Sequence, residues 1–588
     1  MGRAATRCHV SEHPNDDLPR PAWLGPTRLG LGLAQGLALY ALCNGPTPPP
    51  VLGAILLLVF SLVPPLVVAA LGHMRGVFLG FWALATVMVL SAMGLHAGLG
   101  QPRTEAVTGL VWLPLAVLPA LFVAHNLAAA AEAAQRPRAP YTAYFDLAWK
   151  TGLQFALAGL FCGLFWLLLK LGAALFSLIG IDGPQTLLGK PWFALPLTGA
   201  TFTLGVHLAD ARASLTRGLR VLLHNVLAWL LVLLAPIVLA FLLALPFTGL
   251  APLWATKHAA ALLLATAAVL VQLINAAYQD GTALPPRVMA WAGRVAALVL
   301  VPLVALAGWA LALRIGQYGL TPQRVLAGAA TLLAAGYALG YAAAALRPGR
   351  WLAGLEPTNL LAALAAVLVT IGLLTPLADP YRLAVANQLR RLDTGRTSAE
   401  AFDYQFLRFS AGRHGTAALA ALAQRSTGPE AQAIASHARA AQQQQDRYAG
   451  TGPPEPAQWR ITLYPAGTPL PEALARRVQQ ATQADRLGRL GPCFTGRQLC
   501  EAFHLDLDAD GMPELVILHG HIGAVFQQVA DGSLRVLGGL DVPWCGSEPD
   551  ARRREALRQG QFRRVAPAWQ DIELGGLRLR LAENCPPP

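Results

Sequence analysis

The sequence predicts an all-α transmembrane helical bundle of about 11 spans, followed by a C-terminal extramembrane helical segment and a small α+β domain. Three observations predict it. The 588 residues are 55% hydrophobic and only 13% charged, with a mean hydropathy of +0.46, a composition foreign to a single soluble domain. Charge is unevenly divided, with 11 acidic and 21 basic side chains in residues 1–379 against 21 and 24 in the much shorter stretch 380–588. Eleven windows in the first part each hold the run of about 20 apolar residues that crosses roughly 30 Å of hydrocarbon at about 1.5 Å per residue.

These windows lie near 28–44, 51–72, 77–97, 107–130, 152–180, 192–209, 221–245, 258–278, 289–313, 324–345 and 359–377. The first is the weakest, being short and carrying Gly30, Gly32 and Gly36. It is read as a span and not as a cleaved leader, because Glu12, Asp16 and Asp17 precede it and Leu42 is too large for a lipoprotein cleavage site before Cys43. Alternate loops differ in basic charge. Fourteen basic residues (Arg3, Arg7, Arg20, Arg28, Arg75, Arg136, Arg138, Lys150, Arg212, Arg217, Arg220, Arg287, Arg347 and Arg350) fall on the amino-terminal side, and five (Arg103, Lys190, Lys257, Arg314 and Arg324) on the other. By the positive-inside rule the amino-terminal tail, 1–27, is cytoplasmic, and eleven crossings through 28–379 put the rest in the periplasm of a bacterial inner membrane. The formal charge of +13 is not a nucleic-acid signal, because most of it sits in loops that set orientation. Only four lysines accompany 41 arginines, a codon bias of GC-rich bacteria that makes arginine runs such as Arg552–Arg554 weak signals.

After the last window, residues 380–450 read as helical, in LAVANQLRRL, AEAFDYQFLRF and GTAALAALAQR, with Thr397 and Glu400 at capping-box spacing. A glutamine run and the TGPPEP linker, 451–456, precede an α+β domain over 457–588. Its strands are expected in WRITLYP, ELVILHG, AVFQQVA and SLRVLGGL, with an Asp531-Gly532 turn. Cys493, Cys500, Cys545 and Cys585 all fall in this domain, an even number suited to disulfides in an oxidising compartment. Of three possible pairings, Cys493 with Cys500 and Cys545 with Cys585 is chosen here. A zinc site is the competing reading, and the spacing is not that of paired C-x-x-C ligands.

Within DLDADGMPELVIL, Asp506, Asp508, Asp510 and Glu514 gather carboxylates around Gly511, the pattern a hard cation such as Ca2+ requires. Position twelve is Ile517, so this is no EF-hand; a calcium loop joining two strands, similar to DxDxDGxxD loops, is expected, against a metal-free acidic turn.

Polar residues at membrane depth are functional hypotheses by default. His125, Asp146, His207, Asp210, His224, Asn225, Gln272, Asn275, Gln279 and Asp280 map to one end of the bundle, and Gln272, Asn275 and Gln279 share a helix face expected to look inward. They either glue helices together or line a cytoplasm-facing cavity. Lys170 lies deeper and has to snorkel or pair with a carboxylate. No Walker loop, GxSxG, HExxH or dinucleotide fingerprint is present, no inverted repeat is visible, and no catalytic residue is assigned.

Particular strings are similar to a known family. YTAYFDLAWK, LFSLIGID, LPFTGLAPLW, NAAYQDG, LRIGQYGLTPQRV and ANQLRRLDTGRTSAEAFDYQFLRFSAGRHG resemble the bacterial membrane proteins grouped as domain of unknown function 4153, over roughly residues 140–450. The resemblance implies a polytopic inner-membrane protein and supplies no catalytic residue. In GLTPQRV, Gly319 suits a left-handed turn, Thr321 a cap and Pro322 the first helical position, while Tyr318 and Arg324 suit either an anionic ligand or an interfacial helix start. The function expected is binding, scaffolding or envelope maintenance, with the lipid bilayer and an envelope protein or lipid as partners. The alternatives are a transporter and, behind it, a membrane-embedded transferase. A transporter requires polar sites reachable from both faces, and an enzyme an exposed acid or base near a lateral opening.

Overall fold

In the computed structural model, residues 21–46, 48–100, 110–256, 258–282, 284–444, 459–464, 470–480, 490–494, 499–520, 522–529, 532–541, 547–561, 572–574 and 577–579 are described. Two compact units divide the chain, Met1–Ile434 and Ala435–Pro588.

The first unit is a helical bundle whose long helices answer the eleven apolar windows one for one. They are α1 (Leu24–Asn44), α2 (Pro50–Ala70), α3 (Gly76–Gly100), α4 (Trp112–Ala134), α5 (Tyr141–Leu178), α7 (Pro191–Ala211), α8 (Ala213–Thr248), α10 (Ala259–Tyr278), α11 (Arg287–Tyr318), α12 (Pro322–Leu346) and α13 (Leu355–Leu373), with the short α6 (Gly183–Leu188) and α9 (Ala251–Ala255) between them. Ten of these, α2 onward, are by themselves long and apolar enough to cross a membrane. The eleventh, α1, carries the glycines that weakened its window. It nevertheless runs antiparallel to α7: Gly25 lies against the His207 ring, Gly32 against Gly199 and Thr203, and Gly36 against Leu195 and Pro196. A Cβ on Gly32 or Gly199 would strike the other helix's backbone, so the small residues that cost α1 hydropathy allow its axis to approach α7.

Among the described residues several apolar clusters hold the bundle. The largest joins α8, α10, α11 and α12 through Leu231, Ala235, Leu270, Ile274, Leu300 and Leu303, all buried. A smaller one joins α2, α3 and α4 through Leu58, Leu62, Leu90 and Leu113. Outside the long helices, α14 (Pro380–Asp393), α15 (Tyr404–Phe409) and α16 (Gly412–Ala423) belong to the same unit and lie at the bundle end opposite α1's start. The capping box is not formed: Thr397 and Glu400 lie in turns before α15, and Asp403 Oδ1 accepts the Phe406 N–H at 2.8 Å and caps that helix instead.

The unit boundary falls within α17 (Ala431–Gln443). The second unit holds a five-stranded sheet of β1 (Ile461–Tyr464), β2 (Cys500–Leu505), β3 (Glu514–His519), β4 (Ile522–Gln528) and β5 (Leu534–Asp541) in that order, with β1 parallel to β2 and the other pairs antiparallel. One face packs Cys500, Ala502, Ile517 and Phe526 against α18 (Glu472–Gln480) and α19 (Gly491–Phe494); the other packs Phe503, Val516 and Val525 with Leu557 of α20 (Ser547–Arg558). A hairpin of β6 (Ile572–Leu574) and β7 (Leu577–Leu579) follows. All four expected strands form. Sequence reading missed β2, whose Glu501 breaks an apolar run and is buried because Arg558 and Arg554 of α20 pair with it.

Candidate functional site

Most of the predicted polar residues gather at the bundle end that carries the start of α1, in two networks. In the first, Arg28 of α1 and Asp210 of α7 are 0% and 3% exposed and meet at 2.9 Å. Arg28 also donates to the Leu71 carbonyl at 2.8 Å, and His73 Nε2 lies 3.1 Å from the other Asp210 oxygen. One carboxylate thereby joins α1, α7 and the α2–α3 turn. Nearby, Arg75 grips Glu132 of α4 with two nitrogens, and the Trp82 indole donates to His125 Nδ1 at 3.2 Å, which leaves the buried His125 proton on Nε2. His207 lies along the same α1–α7 seam, against Gly25.

The second network lies among α5, α10, α12 and α13. Asn275 donates to the Tyr341 hydroxyl at 2.8 Å, Tyr341 donates to Asn359 Oδ1 at 2.6 Å, and the Asn359 amide donates to Asn275 Oδ1 at 2.6 Å and to the Tyr141 hydroxyl at 2.8 Å. This ring of amides and phenols closes on itself. Beside it Tyr278 donates to Glu356 at 2.8 Å, with its ring 6.3 Å from that of Tyr141 and 5.8 Å from that of Trp351. His224 is buried between Phe145 and Trp149, at ring separations of 5.3 and 4.3 Å, and Asp146 pairs with Arg220 at 2.8 Å.

The inward face expected on α10 does not hold for all three residues. Asn275 is in the network, but Gln272 is exposed on the outer surface, because α10 turns Leu270, Leu273, Ile274 and Tyr278 toward its neighbours. Asn225 is likewise exposed, one residue and about 100° of helix rotation from buried His224. Gln279 ends α10 in a left-handed conformation, φ +53°, and Asp280 accepts from the Thr282 backbone and hydroxyl at 3.0 and 2.7 Å, a turn function.

At the opposite end the α11–α12 turn is clasped by α14. Arg391 donates to the carbonyls of Gly316 and Gln317, Gln388 to those of Tyr318 and Leu320, and Asn387 accepts the Leu320 N–H. Gly319 has φ +75°, which favours glycine, and a Cβ there would displace the clasping side chains of Gln388 and Arg391. Thr321 caps α12 and Pro322 takes its first position, as the sequence suggests. Arg324 donates to the Gly319 carbonyl and lies over the Tyr318 ring, a helix-start arrangement.

A constellation at this end escaped sequence reading. Asp379 Oδ2 is approached at 3.0 Å by Nε2 of both His96 on α3 and His414 on α16. Its Oδ1 accepts the Tyr381 and Arg382 N–H groups and caps α14. Arg413 donates to His96 Nδ1 at 3.0 Å, which leaves the His96 proton on Nε2, pointing at Asp379. Burial pushes the Asp379 carboxyl up, but those two backbone donors with His414 and His96 outweigh it and hold it below the usual carboxylate value.

In the second unit Cys493 and Cys500 form a disulfide that ties α19 to the first residue of β2, which is the chosen pairing. Cys545 and Cys585 lie outside the described residues. The acidic loop joins β2 to β3. Oxygens of Asp506, Asp508 and Glu514 lie within 4.8 Å of one another, and Gly511 takes φ +86°. Asp510 is not among them; its Oδ1 accepts the Met512 N–H at 2.7 Å. Glu514 Oε2 accepts the Leu507 N–H and Asp506 Oδ1 that of Ala509, so backbone donors already serve part of the cluster.

The family model of the domain of unknown function DUF4153 matches residues 52–423, from α2 through α16. No curated protein and no solved structure matches the chain.

Proposed function

The chain belongs to that family of multi-span membrane proteins, and from this premise we propose that it acts as a binding or scaffolding component of the bacterial inner membrane and not as a conduit. The observation that carries this reading is the closure of the Asn275–Tyr341–Asn359 ring, whose polar atoms are turned on one another, with the Tyr141 hydroxyl accepting from Asn359 at its edge. The ring is set in the same packed cluster as Leu231, Leu270, Ile274, Leu300 and Leu303, to which Tyr341 belongs. A solute path needs polar groups turned toward water.

The topology we propose puts the amino terminus in the cytoplasm and the second unit in the periplasm. Three of the fourteen basic residues on the amino-terminal side, Arg28, Arg75 and Arg220, are ion-paired within the bundle, and the eleven others still outnumber the five opposite. The Cys493–Cys500 bond supports an oxidising compartment for the second unit.

Asn275→Leu tests the scaffolding reading. It removes one member of a closed, half-buried network, so about 1–3 kcal/mol of stability should be lost, seen as a lower yield of monodisperse protein and a lower melting temperature. A variant that folds as well as wild type but loses a transport-linked phenotype would overturn the scaffold in favour of the transporter. Tyr341→Phe should be milder, because Asn275 and Asn359 still bond each other.

For the β2–β3 loop we propose a structural calcium site of Asp506, Asp508 and Glu514, supported by their convergence on one point. At an affinity of about 10⁻⁴ M, millimolar calcium should stabilise the second unit by roughly 1 kcal/mol. Full-length protein should then resist proteolysis around residues 499–541 better in calcium than in chelator, and Asp508→Ala should remove the difference. Identical cleavage in calcium and chelator would leave a plain acidic turn.

A further inference from the structure

Lys170 stands exposed on the outer flank of α5, and among the described residues it has no hydrogen-bond or ion-pair partner. It borders a groove of about 480 Å³ between α5, α6 and α7, lined by Gly163, Trp166, Leu167, Lys170, Leu188 and Ala194. One cation in an otherwise apolar wall is a costly arrangement at membrane depth unless an anion or water meets it.

The depth of this cation can be read from the packing. The helices α5 and α7 run antiparallel, with Gly205 beside Ala158 and the Trp166 indole donating to Thr198 Oγ1 at 3.0 Å. Continuing that register puts Lys170 level with Ala194, three residues inside the start of α7 at Pro191, or about 4.5 Å of helix rise. Trp192 is exposed at the same level, its ring 5.9 Å from that of Phe193, and Trp166 lies one turn deeper. Aromatic rings of this kind mark the boundary between headgroups and hydrocarbon. Lys170 therefore lies toward the bundle end away from the start of α1, two turns short of the end of α5, whose exposed Leu171, Leu175 and Leu178 continue past it, so its long side chain has to snorkel outward to meet a lipid phosphate.

Below it the groove is shaped for a chain. Gly163 is seven residues from Lys170, about 10 Å toward the middle of the membrane, and a Cβ built on Gly163 or Gly159 meets nothing within 4 Å. Exposed Leu164 and Leu167 flank this open strip. A charged head at the interface above an apolar trough is the outline of a lipid. No carboxylate lines the groove to receive the ammonium or choline of a zwitterionic head, so its charge suits a net anionic one.

We propose that this groove binds an anionic phospholipid, with its phosphate on the Lys170 ammonium and one acyl chain in the trough beside Gly163. The site is independent of the polar networks inside the bundle and of the scaffolding reading.

Purified full-length protein in detergent, titrated with phosphatidylglycerol or with phosphatidylcholine of the same acyl chains and read by native mass spectrometry, tests the site. Wild type should retain phosphatidylglycerol about fivefold better than phosphatidylcholine, the preference expected of one lysine near a headgroup. Lys170→Gln should reduce that preference to parity. Gly163→Leu, which fills the trough and strengthens the helix, should lower retention of both lipids while the protein elutes and melts as wild type does. Undiminished phosphatidylglycerol retention in both variants would overturn the proposal. So would equal retention of the two lipids by wild type, or full displacement of phosphatidylglycerol by millimolar inorganic phosphate, which would mark a simple anion site.

Discussion

Asp210→Ala should lower folding stability by about 3–5 kcal/mol, the cost of breaking a buried ion pair by removing one partner. Arg28 would keep its bond to the Leu71 carbonyl and lose the carboxylate 2.9 Å from its guanidinium, and His73 would lose its contact with the same group. The damage should concentrate on α1. That helix has the least apolar window of the eleven, and its seam with α7 rests on glycine contacts that bury little side-chain area. The check is a double-mutant cycle read by melting temperature and by protease access to α1. Arg28→Met should cost a similar amount. Arg28→Met with Asp210→Leu should recover most of it, because removing both charges also removes the desolvation they suffer. A double variant no better than the worse single one would show that the pair is needed for more than charge balance.

The need for that cycle shows where sequence reading stopped. Spans were legible because twenty apolar residues have one main use in a chain, and strands β3, β4 and β5 were legible from β-branched and aromatic runs bounded by turns. Pairing was not. Arg28 reads as one more basic loop residue, since its partner Asp210 lies 182 positions away, and His96 and Asp379 are 283 apart. Spacing on α10 showed that Gln272, Asn275 and Gln279 are neighbours on a helix, but which way that face turns is set by how α8, α11 and α12 pack on it. Gln272 faces outward for that reason. The strings that carried the family resemblance held a partial signal. Tyr141 in YTAYFDLAWK and Asn275 in NAAYQDG meet through Asn359, and LRIGQYGLTPQRV is clasped by Asn387, Gln388 and Arg391 of ANQLRR. Four strings far apart in sequence thus reduce to two contacts, both of them joints between helices.

Asp379 is the joint between the spans and the helices that cap them. Asp379→Ala should cost roughly 2–4 kcal/mol, from a lost helix cap of about 1 kcal/mol and the stranded donors of His96 and His414. Because the folded protein holds this carboxyl below its ordinary value, the charged form contributes stability that is fully present above the unfolded pKa, near 3.9, and is lost as pH falls through the folded value. Wild-type melting temperature should therefore drop as pH is lowered from about 5 to 3, through this group's contribution. Asp379→Asn separates the two roles. Asparagine still caps α14, so the variant should be more stable than Asp379→Ala at neutral pH. It has no charge to lose, so its own decline over the acid range should be shallower than that of wild type. If Asp379→Asn melts like wild type at pH 7 and declines as steeply in acid, the carboxylate does not hold His96 and His414, and the contact of α3 with α16 rests on the Arg413–His96 bond and on packing between Gly100 and Gly412.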